Sequence, residues 1–200
     1  GDFAGEHGAV EKCDTLFYDC LTHIPLIIKL PGNELKGQRR KTLCENIDIA
    51  PTILELLGFA VSEHMHGVSL VASIHDASHI HKQEVFSEGG VEYHALHRAV
   101  PYDSPDHKKR HPNYVWKQML MVDYPSSMYR AKMIRTDQWK LIYRVDGRIE
   151  LFDLVNDHNE FYNIASEPQY KTLIDSLLLR LLNWCIRTET DYPRIERLYS

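Results

Sequence analysis

The sequence predicts an α/β fold in two parts: a buried strand with its loops and a helix, then a smaller antiparallel four-stranded sheet with a long C-terminal helix. Three observations predict it. A short apolar run spans residues 24–30, apolar and polar residues alternate over 131–143, and an apolar stripe at helical spacing spans 168–187. These patterns are typical of a strand buried on both faces, of half-buried strands and of a helix packed on a sheet, respectively.

Composition and charge narrow the class of protein. Hydrophobic residues make up 44% of the 200 residues and charged residues 26%, as in ordinary globular proteins with one domain or one and a half. The net charge of −5 and the short basic cluster at 108–110 argue against nucleic acid as a partner. No apolar run reaches the roughly 18 residues of a membrane helix, and the sequence indicates no compartment.

The chain opens with a polar loop. Gly1, Gly5 and Gly8 stand among charged side chains, a composition that lets the backbone approach a ligand closely. The apolar run from Ile24 to Leu30 follows and is closed by Pro31-Gly32, so we predict a buried parallel strand there. Enzymes of the α/β class commonly hold their chemistry in a polar loop beside such a strand.

Residues 43–59 are predicted to contain a helix. Asp48 is placed to cap it, Pro51 falls in its first turn, where a missing N–H costs nothing, and Gly58 ends it. The apolar residues in between predict a buried stripe, which consists of Ile53, Leu54, Leu56 and Leu57. We interpret this segment as structural.

Five histidines lie between His64 and His81, and they include two His-x-His pairs. Alternate residues of a strand face the same way, which would allow a metal site. Because no carboxylate or cysteine pattern accompanies them, we interpret these residues as surface histidines.

A short strand and a long insertion are predicted to follow the histidine-rich segment. Residues 84–90 form a short strand that ends in a glycine pair. Residues 91–128 form a long irregular insertion broken by four prolines.

The C-terminal third is predicted to form a meander and a helix. Turns at Thr136-Asp137 and Asp146-Gly147 separate three strands between residues 131 and 154. The final helix is predicted at 168–187, and its apolar stripe consists of Leu173, Leu177, Leu178, Leu181, Leu182 and Trp184.

The cysteines indicate neither a zinc site nor a disulfide scaffold. The four of them lack C-x-x-C spacing, and they are Cys13, Cys20, Cys44 and Cys185. We interpret them as mostly free thiols.

The opening pattern G-D-x-x-G-E-H-G-x-x-E-K, followed by H-I-P-L-I-I-x-x-P-G, resembles the sulfatase family of the alkaline-phosphatase superfamily. Residues 46–58, 84–90 and 129–165 resemble further motifs of that family in the same order. The resemblance implies the C-terminal part of a sulfatase-like α/β domain in residues 1–83, followed by the family's C-terminal antiparallel subdomain in residues 84–200.

The resemblance implies a catalytic and substrate-binding role for Lys12. In the family, a lysine at this position places its ammonium against the sulfate oxygens and the bridging ester oxygen. A compact positive charge does stabilise an oxyanion and the charge that develops on a leaving oxygen. The alternative is a solvated surface lysine, which is the usual state of a lysine.

The resemblance also implies calcium and formylglycine in the full-length protein. Formylglycine is made from a cysteine or serine in a C/S-x-P-x-R context, and no residue of this chain has that context. Gly1 corresponds to the glycine directly after the family's Asp-His pair, so the calcium ligands are expected upstream of it. We therefore expect the chain alone to bind neither cofactor and to be inactive.

Three histidines are further candidates for substrate binding. His7 lies in the opening loop, where it either touches the sulfate or leaving group or bonds nearby backbone. His94 and His97 lie in the insertion and could contact the organic part of a substrate. The alternative for the insertion is a surface loop or an oligomer contact.

The predicted function is hydrolysis of a small-molecule or saccharide sulfate ester, with the missing N-terminal part of the same protein as a partner. Hydrolysis of phosphonate monoesters or phosphodiesters stays open, because that chemistry uses the same scaffold and also a lysine. A non-catalytic assembly or substrate-capping module, and a homo-oligomer, stay open as well.

Overall fold

The computed structural model describes residues 1–13, 15–90 and 124–188. His94 and His97, like most of the predicted insertion, lie outside the described residues. The helices and strands, in chain order, are β1 (Phe3–Ala4), β2 (Val10–Glu11), α1 (Asp19–Thr22), α2 (Ile49–Leu56), α3 (Val71–His75), β3 (Val85–Gly89), β4 (Ala131–Arg135), β5 (Trp139–Arg144), β6 (Ile149–Asp153) and α4 (Lys171–Thr188).

An antiparallel sheet with the strand order β3-β4-β5-β6 is the centre of the fold. Met133 pairs with Ile142 and Ile134 with Leu141, and these successive pairs face opposite sides of the sheet. The hairpin between β4 and β5 closes where the amide N–H of Thr136 donates to the Trp139 carbonyl at 2.8 Å. The predicted four-stranded antiparallel sheet with a long C-terminal helix is thereby confirmed.

Helix α4 covers one face of this sheet. Its buried residues Ile174, Leu177 and Leu181 pack against inward-facing residues of the sheet, namely Ile134, Leu141 and Leu151. Trp184 stacks on Phe86 with ring centroids 4.9 Å apart. The predicted stripe is wrong at Leu182, which is 54% exposed because it lies on the outer side of the helix.

A segment from the N-terminal part covers the opposite face. Phe17 is 3% exposed and packs against a second set of sheet residues, namely Ala131, Met133, Ile142, Phe152 and Leu154. The sheet therefore lies between α4 and the residues that follow Lys12. This packing crosses the boundary predicted at residue 84, and the boundary itself stays a prediction.

The opening residues form a small β-hairpin, in which Phe3 pairs with Glu11 and Ala4 with Val10. Its turn needs positive φ at Gly5 (122°) and Gly8 (69°), conformations that glycine adopts without a steric cost. Phe3 packs with Cys13 and Leu21 beneath the hairpin. The opening glycines thus build a tight turn, as a polar loop of this composition predicts.

The strand predicted at residues 24–30 is wrong for the structure described. Residues 23–30 form no helix or strand, and Ile27 is 90% exposed. A buried parallel strand needs neighbouring strands for its N–H and C=O groups and covering layers on both faces. The residues that the structure describes supply neither, since both of their sheets are antiparallel.

Helix α2 is confirmed in its place, but its predicted cap and burial are wrong. Gly58 takes a φ of 78° after the last turn. Asp48 stands at the start of α2 but makes no side-chain cap there, because its carboxylate forms a capping box with Glu45 in the preceding 3-10 turn, Asn46–Asp48. The predicted buried stripe is wrong, because Ile53 is 51% exposed and Leu57 65%. Where the chain is described, no helix is long and apolar enough to cross a membrane.

Candidate functional site

Lys12 directly follows β2, so the hairpin fixes where its main chain lies. Its Nζ is 3.9 Å from Oδ1 of Asp2, and the two side chains are 78% and 63% exposed. An exposed ion pair at this distance contributes little free energy, so an anionic ligand can compete for the ammonium. Lys12 also borders an open cavity of about 440 Å³, together with Thr22, Ser87 and Glu88.

His7 lies in the turn of the same hairpin and has a φ of 53°. Its ring stacks on Tyr18 with centroids 3.8 Å apart and planes 10° apart, and Phe161 lies 5.2 Å away. Tyr18 in turn meets the edge of Phe152 on the sheet at 5.9 Å. His7 therefore holds the turn against the sheet, and its contact with a substrate stays a prediction.

Two residues that follow Lys12 closely, Cys13 and Thr15, are buried. Cys13 is 6% exposed and Thr15 1%, and the Cys13 Sγ lies 3.3 Å from the Thr15 hydroxyl. The Arg144 guanidinium, on β5, donates from Nη1 to the Thr15 carbonyl at 3.1 Å and from Nε to Glu150 at 2.6 Å. The exposed ammonium thus stands at the end of an anchored segment.

A buried ion cluster continues this anchor. Lys140 is fully buried, and its ammonium donates to the Phe17 carbonyl at 2.7 Å and to Oδ1 of Asp19 at 2.6 Å. It also lies 2.6 Å from Oε1 of Glu160. The other oxygen of Glu160 accepts the Asp19 amide N–H at 2.5 Å. Arg135 completes the cluster with a two-pronged contact to the Asp19 carboxylate.

The two carboxylates of this cluster differ in pKa. Burial opposes ionisation of Asp19, but the contacts of Arg135 and Lys140 outweigh it and hold its pKa below the ordinary value. Burial is the larger effect at Glu160 and raises its pKa, although Lys140 works against the rise. Asp19 is therefore the carboxylate that stays ionised most firmly.

The sequence analysis did not predict this cluster, although the sequence of β5 contains a signal for it. Lys140 and Arg144 flank Ile142 at alternate positions of β5, so they face the core side. Charged residues at the inward positions of an alternating strand require partners, because a buried charge is costly alone. The partners come from Phe17, Asp19 and Glu160, which the pattern of β5 alone does not identify.

A second buried cluster surrounds Asp48, which is fully buried. Lys82 donates to its Oδ1 at 2.7 Å and to Glu45 at 2.5 Å, and the Val68 amide donates at 2.8 Å. His81 Nε2 lies 3.1 Å from the other oxygen. The interpretation of His81 as a surface histidine is wrong, because its side chain is 1% exposed beneath this cluster.

The part of the chain that the structure describes does not fit the cofactors that the resemblance implies. Among the residues that the structure describes, no group of three or more His, Cys, Asp or Glu side chains is placed to hold a metal ion. All four cysteines are free thiols, and the formylglycine context is absent from the sequence. We therefore assign neither calcium ligands nor a nucleophile to this chain.

Comparison with known proteins decides the family. Residues 5–109 match the family described as N-sulphoglucosamine sulphohydrolase, C-terminal, and this match covers more than half of the chain. The chain belongs to the sulfatase family. Within that family it represents the C-terminal region.

The curated relatives of this sulfatase chain are much longer proteins. It is 28% identical to arylsulfatase K of Bos taurus over 188 residues, which cover 92% of this chain and 29% of the relative. It is 26% identical to the Delta 4,5-hexuronate-2-O-sulfatase of Bacteroides thetaiotaomicron, over 98% of this chain and 35% of the relative. The chain thus spans about a third of the length of these relatives.

Solved structures share the fold. A 2-O GAG sulfatase superposes with a TM-score of 0.50 and 22% identity, over 72% of this chain and 25% of the other. The phosphonate monoester hydrolase of Silicibacter pomeroyi superposes with a TM-score of 0.51 and 23% identity, over 74% and 26%. Both kinds of hydrolase therefore have this fold, which does not choose between their reactions.

Proposed function

We propose that this sulfatase chain is part of a sulfuric ester hydrolase, to which it contributes Lys12 as the cation that contacts the sulfate group. The observation that carries the proposal is the placement of Lys12. Its ammonium is exposed beside an open cavity, whereas Cys13 and Thr15 of its segment are buried and Thr15 is bonded to the sheet. Because the backbone of the segment is already held, binding of an anion to this cation costs little further loss of backbone freedom.

The chemistry of the reaction gives this cation two tasks. It neutralises the negative sulfate oxygens in the bound ester, and it stabilises the charge that builds on the bridging oxygen as the S–O bond breaks. Calcium would supply a Lewis acid and formylglycine, a modified residue, would supply the nucleophile, both from residues outside this chain. The isolated chain is therefore expected to be inactive.

The proposed substrate class is a sulfated saccharide. The relative from Bacteroides thetaiotaomicron is named for its action on a hexuronate 2-O-sulfate. Turnover of an unsaturated hexuronate 2-O-sulfate, compared with turnover of an aryl sulfate, tests this class in the full-length protein. Preference for the aryl ester by more than about tenfold in kcat/KM would count against the saccharide.

The exposed apolar residues support an arrangement within a larger protein. The segment around Ile27 and the outer side of α2 with Ile53 and Leu57 expose apolar side chains that a folded domain normally covers. We propose that the remainder of the full-length protein packs on them. This agrees with the length of the relatives, of which the chain spans about a third.

The role of Lys12 is tested by Lys12→Ala in the full-length protein, with a series of aryl sulfates whose leaving groups differ in pKa. Loss of a charge-stabilising donor typically costs about 10²- to 10³-fold in rate. We expect a loss of that size in kcat/KM, largest for the poorest leaving groups. Lys36→Ala is the matched control, since Lys36 is an exposed lysine in another loop. Equal activity of the two variants would contradict the proposal.

The second candidate function is hydrolysis of a phosphonate monoester, which stays open because the phosphonate monoester hydrolase from Silicibacter pomeroyi shares this fold. The two reactions are separated by kcat/KM for a phenyl phosphonate monoester and for the matching aryl sulfate. A higher value for the phosphonate would replace the sulfatase proposal. Lack of turnover of both esters by the full-length protein would favour a non-catalytic role.

A further inference from the structure

We propose that Lys140 and Arg144, on the four-stranded sheet, are positioning residues for Lys12. They fix the segment that carries the ammonium, so they set where that charge lies relative to the substrate. This inference rests on the proposed function of Lys12. It assigns to the C-terminal sheet a part in the reaction beyond support of the fold.

The contacts act on the main chain of the segment. Arg144 donates to the carbonyl of Thr15 and Lys140 to the carbonyl of Phe17, so two cations on one strand hold alternate residues of the segment. Both cations lie on the face of β5 that also carries Ile142. Because the bonds go to backbone carbonyls, a change in either cation shifts the chain itself and not only a side chain.

The buried charges of the cluster are better suited to fixing the position of the segment than to stabilising the sheet. Lys140 is fully buried between Asp19 and Glu160, and removing charges from water costs several kcal/mol per ion. A hydrophobic residue at the same inward position would stabilise a sheet as well or better, as Met133 and Ile142 do nearby. What an apolar residue lacks is the hydrogen-bond geometry that fixes the segment in one register.

The distance along the chain from this anchor to Lys12 is short. Thr15 is three residues beyond Lys12, and Cys13 between them is already buried. At the other end of the hairpin, the stack of His7 on Tyr18 holds the turn to the same face of the sheet. A misplacement of about 1 Å in a catalytic group can cost about 10²-fold in rate, so the anchors matter for the reaction.

The test compares Lys140→Met and Arg144→Gln in the full-length protein with a control, Leu177→Ala. Leu177 lies on α4 and is fully buried against the opposite face of the sheet, where it packs with Ile134, Leu141 and Leu151. We expect both positioning variants to lose about 10- to 100-fold in kcat/KM. Their loss in kcat/KM should grow as the leaving group becomes poorer, as for Lys12→Ala. Their affinity for inorganic sulfate, measured by titration calorimetry, should also fall. Leu177→Ala should lower the free energy of unfolding but should change neither the leaving-group dependence nor the affinity for sulfate.

A double variant separates positioning from a general loss of structure. If Arg144 acts through Lys12, then Arg144→Gln should change kcat/KM by less than about threefold in a Lys12→Ala background. The inference would be overturned if the losses of Arg144→Gln and Lys12→Ala added in the double variant. It would also be overturned if Arg144→Gln showed the same leaving-group dependence as Leu177→Ala. Neither result would contradict the role of Lys12. If Lys12→Ala itself leaves that dependence unchanged, the proposed function fails first. Arg144→Gln decides alone if Lys140→Met does not fold.

Discussion

Asp48 is a fully buried carboxylate that neighbouring groups keep ionised. Burial opposes its charge, but Lys82 and the amides of Val68 and Glu45 outweigh burial and lower its pKa. Its place at the start of a helix could be predicted, since Asp before a Pro-containing first turn is typical of a cap. Its contacts with His81 and Lys82 could not, because these residues are more than thirty positions away. A local pattern contains no information on such a contact.

The charge on Asp48 predicts a pH dependence of stability. Because the folded-state pKa lies below the ordinary value, the contribution is fully present above the unfolded-state pKa of about 3.9. It is lost as the pH falls through the folded-state pKa. Asp48→Asn removes this charge and leaves Lys82 without one of its two partners, which should cost about 3 kcal/mol near pH 7.

Urea denaturation between pH 2.5 and 7 measures this effect. The difference in free energy of unfolding between the wild type and Asp48→Asn should shrink below about pH 4. Asp175→Asn is the control, because that carboxylate is exposed on α4 and pairs with Lys171 at the surface. It should change stability by less than about 0.5 kcal/mol at every pH. A difference for Asp48→Asn that stays constant over this range would refute the argument.

Helices α2 and α4 show what a helical period does and does not predict. Each has apolar residues at helical spacing, and the sequence correctly predicts a helix in both places. In α4 the stripe meets the sheet, and Leu177 is fully buried. In α2 the corresponding residues Ile53 and Leu57 are exposed. The helical spacing of apolar residues predicts which face of a helix is apolar. Whether another element packs on that face depends on distant parts of the chain.

The packing of α4 leads to a prediction at the level of the element. Leu177→Ala should destabilise the protein by about 2–5 kcal/mol, since it leaves a cavity between the helix and Leu141. Leu182→Ala, on the same helix but 54% exposed, is the matched control and should cost less than about 1 kcal/mol. Thermal or urea unfolding measures both changes. Similar losses for the two variants would mean that α4 does not lie on the sheet in this orientation.

At the scale of the whole molecule, the two faces of the four-stranded sheet are packed differently. The face toward α4 is apolar, whereas the opposite face combines Phe17 with the charges of Lys140 and Arg144. The strands and the helix could be predicted, because their patterns are local. The course of residues 15–21 over the sheet could not, since partners more than one hundred residues apart determine it. The candidate site shares this limit. The motif makes Lys12 a candidate, but only the fold shows that Arg144 and Lys140 bond Thr15 and Phe17 of the same segment.

The exposed apolar segment near residue 27 gives the last prediction, which concerns the chain within its full-length protein. Ile27 is 90% exposed here, so Ile27→Lys should change the stability of the isolated chain by less than about 0.5 kcal/mol. If the remainder of the full-length protein covers this segment as a parallel sheet would, the same change buries a charge there. It should then cost more than about 3 kcal/mol or prevent folding.

Urea denaturation of both forms measures the difference, and Val155→Lys is the control. Val155 is 67% exposed just after β6, so a lysine there should be tolerated in both forms. Because this comparison uses stability and not turnover, it tests the packing of the segment independently of the proposed reaction. Equal tolerance of Ile27→Lys in both forms would show that the segment stays in solvent. The buried strand that its sequence predicts would then be wrong for the full-length protein too.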